Sequence, residues 1–161
     1  MRASDPDPIE PWSAARGEQV IGPHLATEGG LLPALHDLQA VFGFIPDAAV
    51  RLLAQAFNLS RAEVHGVVTF YHDFRRAPAG RHVVKLCQAE ACQAMGSRRL
   101  AAHAGACLGV ALGGTTPDGR VTLEPIYCLG LCATAPAAMV DGAVLGRVTP
   151  ARLDAVLEGL A

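Results

Sequence analysis

Two short stretches decide the fold of this chain: LCQAEACQAMG at residues 86–96 and YCLGLCATAP at residues 127–136. Together they hold two cysteine pairs, Cys87 with Cys92 and Cys128 with Cys132. Both pairs come directly after a run with the composition of a β-strand, so we expect a rigid strand end to fix each loop. Four thiolates from two fixed loops suit an iron-sulphur cluster, because its iron ions prefer sulphur ligands.

Two alternatives to a cluster remain open from the cysteine spacing alone. A structural zinc ion also takes four cysteines, although such sites often include histidine and no histidine adjoins either pair. The other alternative is a set of unrelated thiols, since no thioredoxin-type Cys-x-x-Cys motif is present. Gly96 and Gly130 favour the cluster, because glycine lets backbone N–H groups approach sulphur and offset negative charge.

The sequence around the cysteines predicts a small α/β domain over residues 79–161. The predicted elements are strands at 82–86 and 121–123, a hairpin of strands 138–140 and 143–145, and helices at 97–104 and after Thr149. The Asp141-Gly142 pair predicts the tight turn of the hairpin. Thr149 followed by Pro150 predicts the N-cap and first turn of the last helix.

The first half of the chain predicts an irregular tail over residues 1–28, with four prolines in its first 23 positions, and a helical bundle over residues 29–78. Hydrophobic spacing places one apolar face on each of three helices: Leu31, Leu35, Leu38 and Phe42; Val50, Leu53, Ala54 and Phe57; Val64, Val67, Val68 and Tyr71. Gly43 is expected to end the first helix and Asp47 to cap the second. Ser60 and Glu63 form a capping box for the third. The whole chain is therefore predicted to be α+β.

Composition limits the function classes. Hydrophobic residues make up 51% of the 161 residues and charged ones only 17%, which excludes a disordered chain and favours an apolar surface that meets a partner. The formal net charge of −2, without a basic block, argues against nucleic acid as a partner.

The cellular compartment is inferred from the N-terminus and the cysteines. The N-terminus lacks the apolar stretch of a secretory signal, and the apolar run at 104–114 is shorter than the roughly 20 residues that span a bilayer. We therefore expect a cytoplasmic protein without membrane insertion. In that compartment five cysteines indicate metal or redox chemistry rather than disulfides. We expect the fifth, Cys107, to be a small buried residue and not a ligand.

Several motifs together resemble a known family. They are QAVFGFIP at 39–46, VHGVVTFYHDF at 64–74, Pro78-Ala79-Gly80, the Cys87–Cys92 loop, GGTTPDG at 113–119, and the Cys128–Cys132 loop followed by Ala135-Pro136. The C-terminal half resembles the thioredoxin-like 2Fe-2S ferredoxins, and residues 30–161 resemble the small 2Fe-2S subunit of NAD-linked oxidoreductases. This resemblance implies a helical N-terminal domain, a thioredoxin-like domain and one 2Fe-2S cluster. Its implied ligands are Cys87, Cys92, Cys128 and Cys132.

The resemblance also implies partners. They are a flavoprotein subunit that binds FMN and NAD and a larger iron-sulphur subunit with molybdenum or tungsten, because the loop CQAEACQAMG is most similar to the version in NAD-dependent formate dehydrogenase. The equivalent subunits of respiratory complex I and of NAD-reducing hydrogenases are the alternatives, and a free ferredoxin is a further one. His65 departs from the complex I pattern, where an aromatic residue is common.

No residue of the chain is expected to be catalytic. The sequence shows no Ser-His-Asp set, no paired carboxylates and no Gly-x-Gly-x-x-Gly fingerprint, so electron transfer alone is expected. Phe70, Tyr71 and Phe74 are expected in the core, because helical spacing accounts for them without a ligand. His65 and His72 are expected to pack or to face a partner.

Overall fold

Helices build the N-terminal half of the protein. The computed structural model describes residues 9–160 and divides the chain into two units, residues 1–78 and 79–161. The helices of the first unit are α1 (Ala14–Ile21), α2 (Leu31–Phe42), α3 (Asp47–Ala56) and α4 (Arg61–Phe70), with a short 3-10 turn at Gly22–His24. Within the described residues, no helix has both the length and the apolar character needed to cross a bilayer.

Helix α1 corrects the expectation of an irregular tail over residues 1–28. The Ser13 side chain accepts the Arg16 N–H and caps the helix, and Arg16 pairs with Glu10 at 3.0 Å. Ile21 is buried, and the Trp12 ring packs edge-on against Phe42 with 4.8 Å between the ring centroids. The prolines of this segment flank the helix and do not interrupt it, which the proline count alone did not reveal. Residues 1–8 of the expected tail lie outside the described residues.

Helices α2 and α3 follow the sequence pattern closely. Leu35, Leu38 and Phe42 of α2 are buried, and Gly43 ends this helix with a left-handed φ of 77°. Helix α3 differs in one detail, since Asp47 is its first helical residue and Pro46 occupies the N-cap position. Asp47 therefore acts as an acidic residue in the first turn, where the helix dipole favours it.

Helix α4 has the predicted capping box but not the predicted aromatic core. The Ser60 and Glu63 side chains each accept a hydrogen bond from the other residue's backbone N–H. Phe70 lies away from the buried face, and the helix ends before Tyr71, whose extended backbone directs its ring outward. Phe70 is 73% exposed and Tyr71 43% exposed, so the core prediction is wrong for both. Phe74 is buried, as expected.

A four-stranded sheet organises the second unit. Its elements are β1 (His82–Cys87), α5 (Glu90–Ala94), α6 (Ser97–Leu108), β2 (Val121–Ile126), a 3-10 turn (Cys132–Thr134), β3 (Ala138–Val140), β4 (Ala143–Leu145) and α7 (Pro150–Glu158). The strand order is β2-β1-β3-β4, in which β1 and β2 are parallel and the other neighbours are antiparallel. Side chains of α6 and α7 share one buried cluster with the strands. The chain is thus α+β, as predicted, with a helical first unit and a second unit of helices packed on a mixed sheet.

The parallel pair sets the position of the cysteine loops. Cys87 lies opposite Ile126 in the register of β1 and β2, so both strands end at the same edge of the sheet. The hairpin is also as predicted, because Asp141 and Gly142 have φ values of 47° and 83° that suit a tight two-residue turn. The carboxylate of Asp141 ties this turn to β1, where it accepts the Val83 N–H at 2.7 Å.

The packing of α2 gives a test of the N-terminal core. We expect Leu38→Ala to lower the free energy of unfolding of this unit by about 2–5 kcal/mol, because it removes buried contacts and leaves a cavity. Trp12 is the only tryptophan of the chain and contacts Phe42, so its fluorescence during chemical denaturation follows this unit. The control Leu25→Ala, at a side chain that is 46% exposed, should cost less than about 1 kcal/mol. Equal losses would contradict the core position of Leu38.

Candidate metal centre

The two cysteine loops meet at one edge of the sheet. Cys87 is the last residue of β1 and Cys92 lies on α5, and both are buried at 2% exposure. Cys128 follows the end of β2, and Cys132 begins the 3-10 turn; both are exposed. The site therefore has a buried half and a surface half, each made by one predicted pair.

The structure brings all four predicted cysteines together. Cys128 Sγ lies 4.0 Å from Cys132 Sγ, and Cys87 and Cys92 belong to one buried cluster with Ala137. The two pairs are also close enough to interact electrically, since a charge on Cys132 acts on Cys92 and a charge on Cys87 acts on Cys132. Both predicted cysteine pairs thus lie at one edge of the sheet, and their role as ligands stays a prediction.

Backbone N–H groups point at the sulphur atoms. Gly130 N–H donates to Cys128 Sγ at 3.4 Å, within a loop where both residues have positive φ values of 73° and 85°. Further donors are Ala89, Cys128 and Leu129 toward Cys87, and Ala137 toward Cys92. Such donors stabilise negative charge on sulphur. The expected role of Gly96 is wrong, because its N–H donates to the Gln93 carbonyl oxygen at 3.0 Å.

The thiol pKa values reflect these surroundings. Burial raises the pKa of Cys87, but backbone donors and the Cys92 thiol outweigh it, and the net pKa lies below the ordinary value. Burial and the hydrogen bond to Cys87 raise the pKa of Cys92. The hydrogen bond to Cys128 and its negative charge raise the pKa of Cys132. The pKa values of Cys92 and Cys132 are therefore raised, and a bound cation would favour their thiolate forms.

The four sulphurs of the described residues are spread more widely than the ligands of one tetrahedral ion. A single tetrahedral zinc ion with Zn–S bonds of about 2.3 Å would hold all four sulphurs roughly 3.8 Å apart. Among the described residues, no three of these four sulphurs lie within 4.8 Å of one another. Two sulphur pairs separated from each other are what a binuclear iron-sulphur cluster requires.

The lining of the site is apolar. The partly buried residues that pack on Cys87, Cys92 and Ala137 are Ala89, Ile126, Leu129, Leu131 and Ala135. Lys85, two residues before Cys87, has its Nζ 3.6 Å from Glu124 Oε2, and these residues lie opposite each other on β1 and β2.

Cys107 lies apart from this site, and the expectation that it is buried is wrong. It is exposed on α6, near His103 of the same helix and Asp154 of α7. The predicted helix stopped at Ala104, so the four-residue spacing of His103 and Cys107 on one helix face was missed. The sequence holds the signal, but the contact with Asp154 depends on how the two helices pack.

The second unit holds two cysteine pairs at one edge of its sheet. This arrangement is typical of the small iron-sulphur electron carriers. The family described as thioredoxin-like 2Fe-2S ferredoxin matches residues 18–161. This match covers most of the chain, and the chain belongs to that family. The match begins in the first unit and includes all four cysteines.

Relatives with established names extend the comparison. The chain is 37% identical to a subunit of the NADH-quinone oxidoreductase of Pseudomonas aeruginosa over 79% of its length and 76% of the relative. It is 35% identical to the HndA subunit of the NADP-reducing hydrogenase of Solidesulfovibrio fructosivorans, over 81% of its length and 76% of that protein. The crystal structure of an NAD+-reducing NiFe hydrogenase in the H2-reduced state matches 81% of the chain with 30% identity and a TM-score of 0.69. The chain spans 22% of that hydrogenase chain.

Serine substitutions test which cysteines hold the metal. We expect Cys87→Ser, Cys92→Ser, Cys128→Ser and Cys132→Ser each to lose or distort the cluster, because serine oxygen is a poorer ligand than thiolate for these iron ions. Cys107→Ser is the matched control and should keep about two iron atoms per chain. Iron analysis and the visible absorption spectrum measure both. Iron loss in the Cys107 variant would refute the assignment.

Proposed function

We propose that this chain holds one 2Fe-2S cluster on Cys87, Cys92, Cys128 and Cys132 and serves as an electron-transfer subunit of an NAD-linked oxidoreductase. The proposal rests on the two cysteine pairs, whose sulphurs are approached by backbone N–H donors. The chain that holds them belongs to this ferredoxin family. When bound, such a cluster exchanges one electron at a time. The residues of this chain would fix the sulphurs, lower the cost of negative charge and limit access of water.

The relatives favour one group of parent complexes. The loop at residues 86–96 favoured NAD-dependent formate dehydrogenase, but the relatives are named as subunits of NADH-quinone oxidoreductase and of a hydrogenase. We therefore propose a complex related to these two as the parent. Formate dehydrogenase, with its molybdenum or tungsten subunit, is the second candidate and rests on the cysteine loop alone.

A bound subunit fits the chain better than a free ferredoxin. The match to the family and to the relatives extends into the helical unit, which has no cysteine of its own. A freely diffusing carrier would need only the second unit. A flavoprotein that binds FMN and NAD is the proposed neighbour, because flavin accepts a hydride and passes on single electrons.

The helical unit has a surface suited to such a neighbour. Phe70 and Tyr71 are exposed and stack edge-on with 5.1 Å between their ring centroids. Exposed paired aromatics are common anchors of protein interfaces. We propose that these two rings dock the flavoprotein subunit.

Redox measurements on the isolated chain test the relay function. The cluster-loaded chain should accept one electron from dithionite and give the paramagnetic resonance signal of a reduced 2Fe-2S centre. It should neither oxidise formate or NADH nor reduce NAD, because its sequence contains no recognisable catalytic set. Turnover of any of these substrates by the pure chain would contradict a pure relay.

Copurification from the native host tests the partner and its docking surface together. The tagged chain should bring down an FMN- and NAD-binding subunit, and the identity of the remaining subunits distinguishes the parent complexes. We expect Phe70→Ala combined with Tyr71→Ala to reduce the yield of the flavoprotein at least about tenfold at unchanged iron content, because it removes the two exposed rings. The control is Val144→Ala, at a 52% exposed residue of the other unit. Undiminished copurification of the aromatic variant would place the contact elsewhere.

A further inference from the structure

A second group of metal-ligand atoms lies between α6 and α7. His103 and Cys107 are one turn apart on α6, and Asp154 faces them from α7. Cys107 Sγ lies 3.6 Å from His103 Nε2 and 3.7 Å from Asp154 Oδ1, and these last two atoms are 2.6 Å apart. Three different ligand types thus converge from two helices.

The geometry does not suit a nucleophilic cysteine. In a relay, the acid would hold one ring nitrogen of the histidine while the other nitrogen activated the thiol. Here Cys107 and Asp154 both contact Nε2, so no relay through the ring exists.

The distances do suit a tetrahedral ion. With Zn–S near 2.3 Å and Zn–N and Zn–O near 2.0–2.1 Å, a tetrahedron places sulphur roughly 3.6 Å from each of the other two ligands. The two observed sulphur distances, 3.6 and 3.7 Å, are close to that value. The His103 and Asp154 atoms would separate by about 0.8 Å to reach the corresponding N–O distance of roughly 3.4 Å.

A fourth ligand position is open. Cys107 and Asp154 line a surface cavity of about 320 Å³ together with Glu158, which is one helical turn after Asp154. Arg120 also lines this cavity; its Nε lies 3.5 Å from Asp118 Oδ2, so the two charges attract each other without a hydrogen bond at this nitrogen. A water molecule or Glu158 can complete the coordination.

We propose that His103, Cys107 and Asp154 bind one Zn²⁺ ion and thereby clasp α6 to α7. Neutral imidazole with one thiolate and one carboxylate matches the charge of the ion and its preference for mixed nitrogen, sulphur and oxygen ligands. The site is distinct from the four-cysteine centre. Helix α6 begins at Ser97, five residues after Cys92. Cys107 lies ten residues further along this helix, a distance of about 15 Å.

Zinc binding to the cluster-loaded full chain tests the proposal. After equilibrium dialysis in a buffered zinc solution, metal analysis should find one zinc and an unchanged two iron atoms per chain. Zinc K-edge X-ray absorption should show one sulphur among nitrogen and oxygen ligands. Cys107→Ser and Asp154→Asn should each weaken zinc affinity at least about tenfold, and their unchanged iron content would show that the second unit is folded.

The control variant is His24→Gln. His24 also pairs with an aspartate, Asp37, at 2.7 Å, but without a cysteine and in the other unit. It should leave zinc affinity unchanged, whereas His103→Gln should lower it as much as the Cys107 variant does. Two results would overturn the proposal. One is zinc bound by four sulphurs with loss of iron, and the other is a zinc affinity that Cys107→Ser leaves unchanged.

Discussion

The parallel pairing of β1 with β2 is the constraint on which the rest of the site depends. Because Cys87 lies opposite Ile126, the two cysteine loops leave the sheet at the same edge. Strand β3 pairs with β1 from the other side, and its preceding residue Ala137 accepts the Cys87 N–H at 3.0 Å. A register shift of one residue would turn each side chain of a strand to the opposite face and separate the pairs.

The site combines two opposed electrostatic requirements. Burial of Cys87 and Cys92 raises the cost of thiolate charge, and the backbone donors of the loops offset part of that cost. The exposed pair, Cys128 and Cys132, leaves one side of the site at the surface. That asymmetry supports the proposed relay, in which the buried side would hold the geometry and the surface side would face a second redox group.

Local signals in the sequence predicted local structure well. The Asp141-Gly142 turn, the Ser60–Glu63 capping box and the Gly43 helix end each depend on neighbouring residues alone, and each is present. Two of the errors, those on helix α1 and on Cys107, concern features set by distant parts of the chain. Helix α1 is held by the packing of Trp12 and Ile21 on other helices, and the short contacts of Cys107 depend on where α7 lies. The number of prolines in a segment, or the type of a single residue such as Cys107, gives no information on such contacts.

The cysteine loops identify the cluster more readily than the parent complex. Any complex that uses a 2Fe-2S relay imposes the same demands on the ligand loops: four sulphurs, tight turns and inward N–H groups. The loop CQAEACQAMG therefore carries little information on the parent. Selection for a particular partner would act instead on exposed surfaces, such as the proposed docking surface at Phe70 and Tyr71. The helical unit, rather than the cysteine loops, is where a hydrogenase subunit and a quinone oxidoreductase subunit are expected to differ.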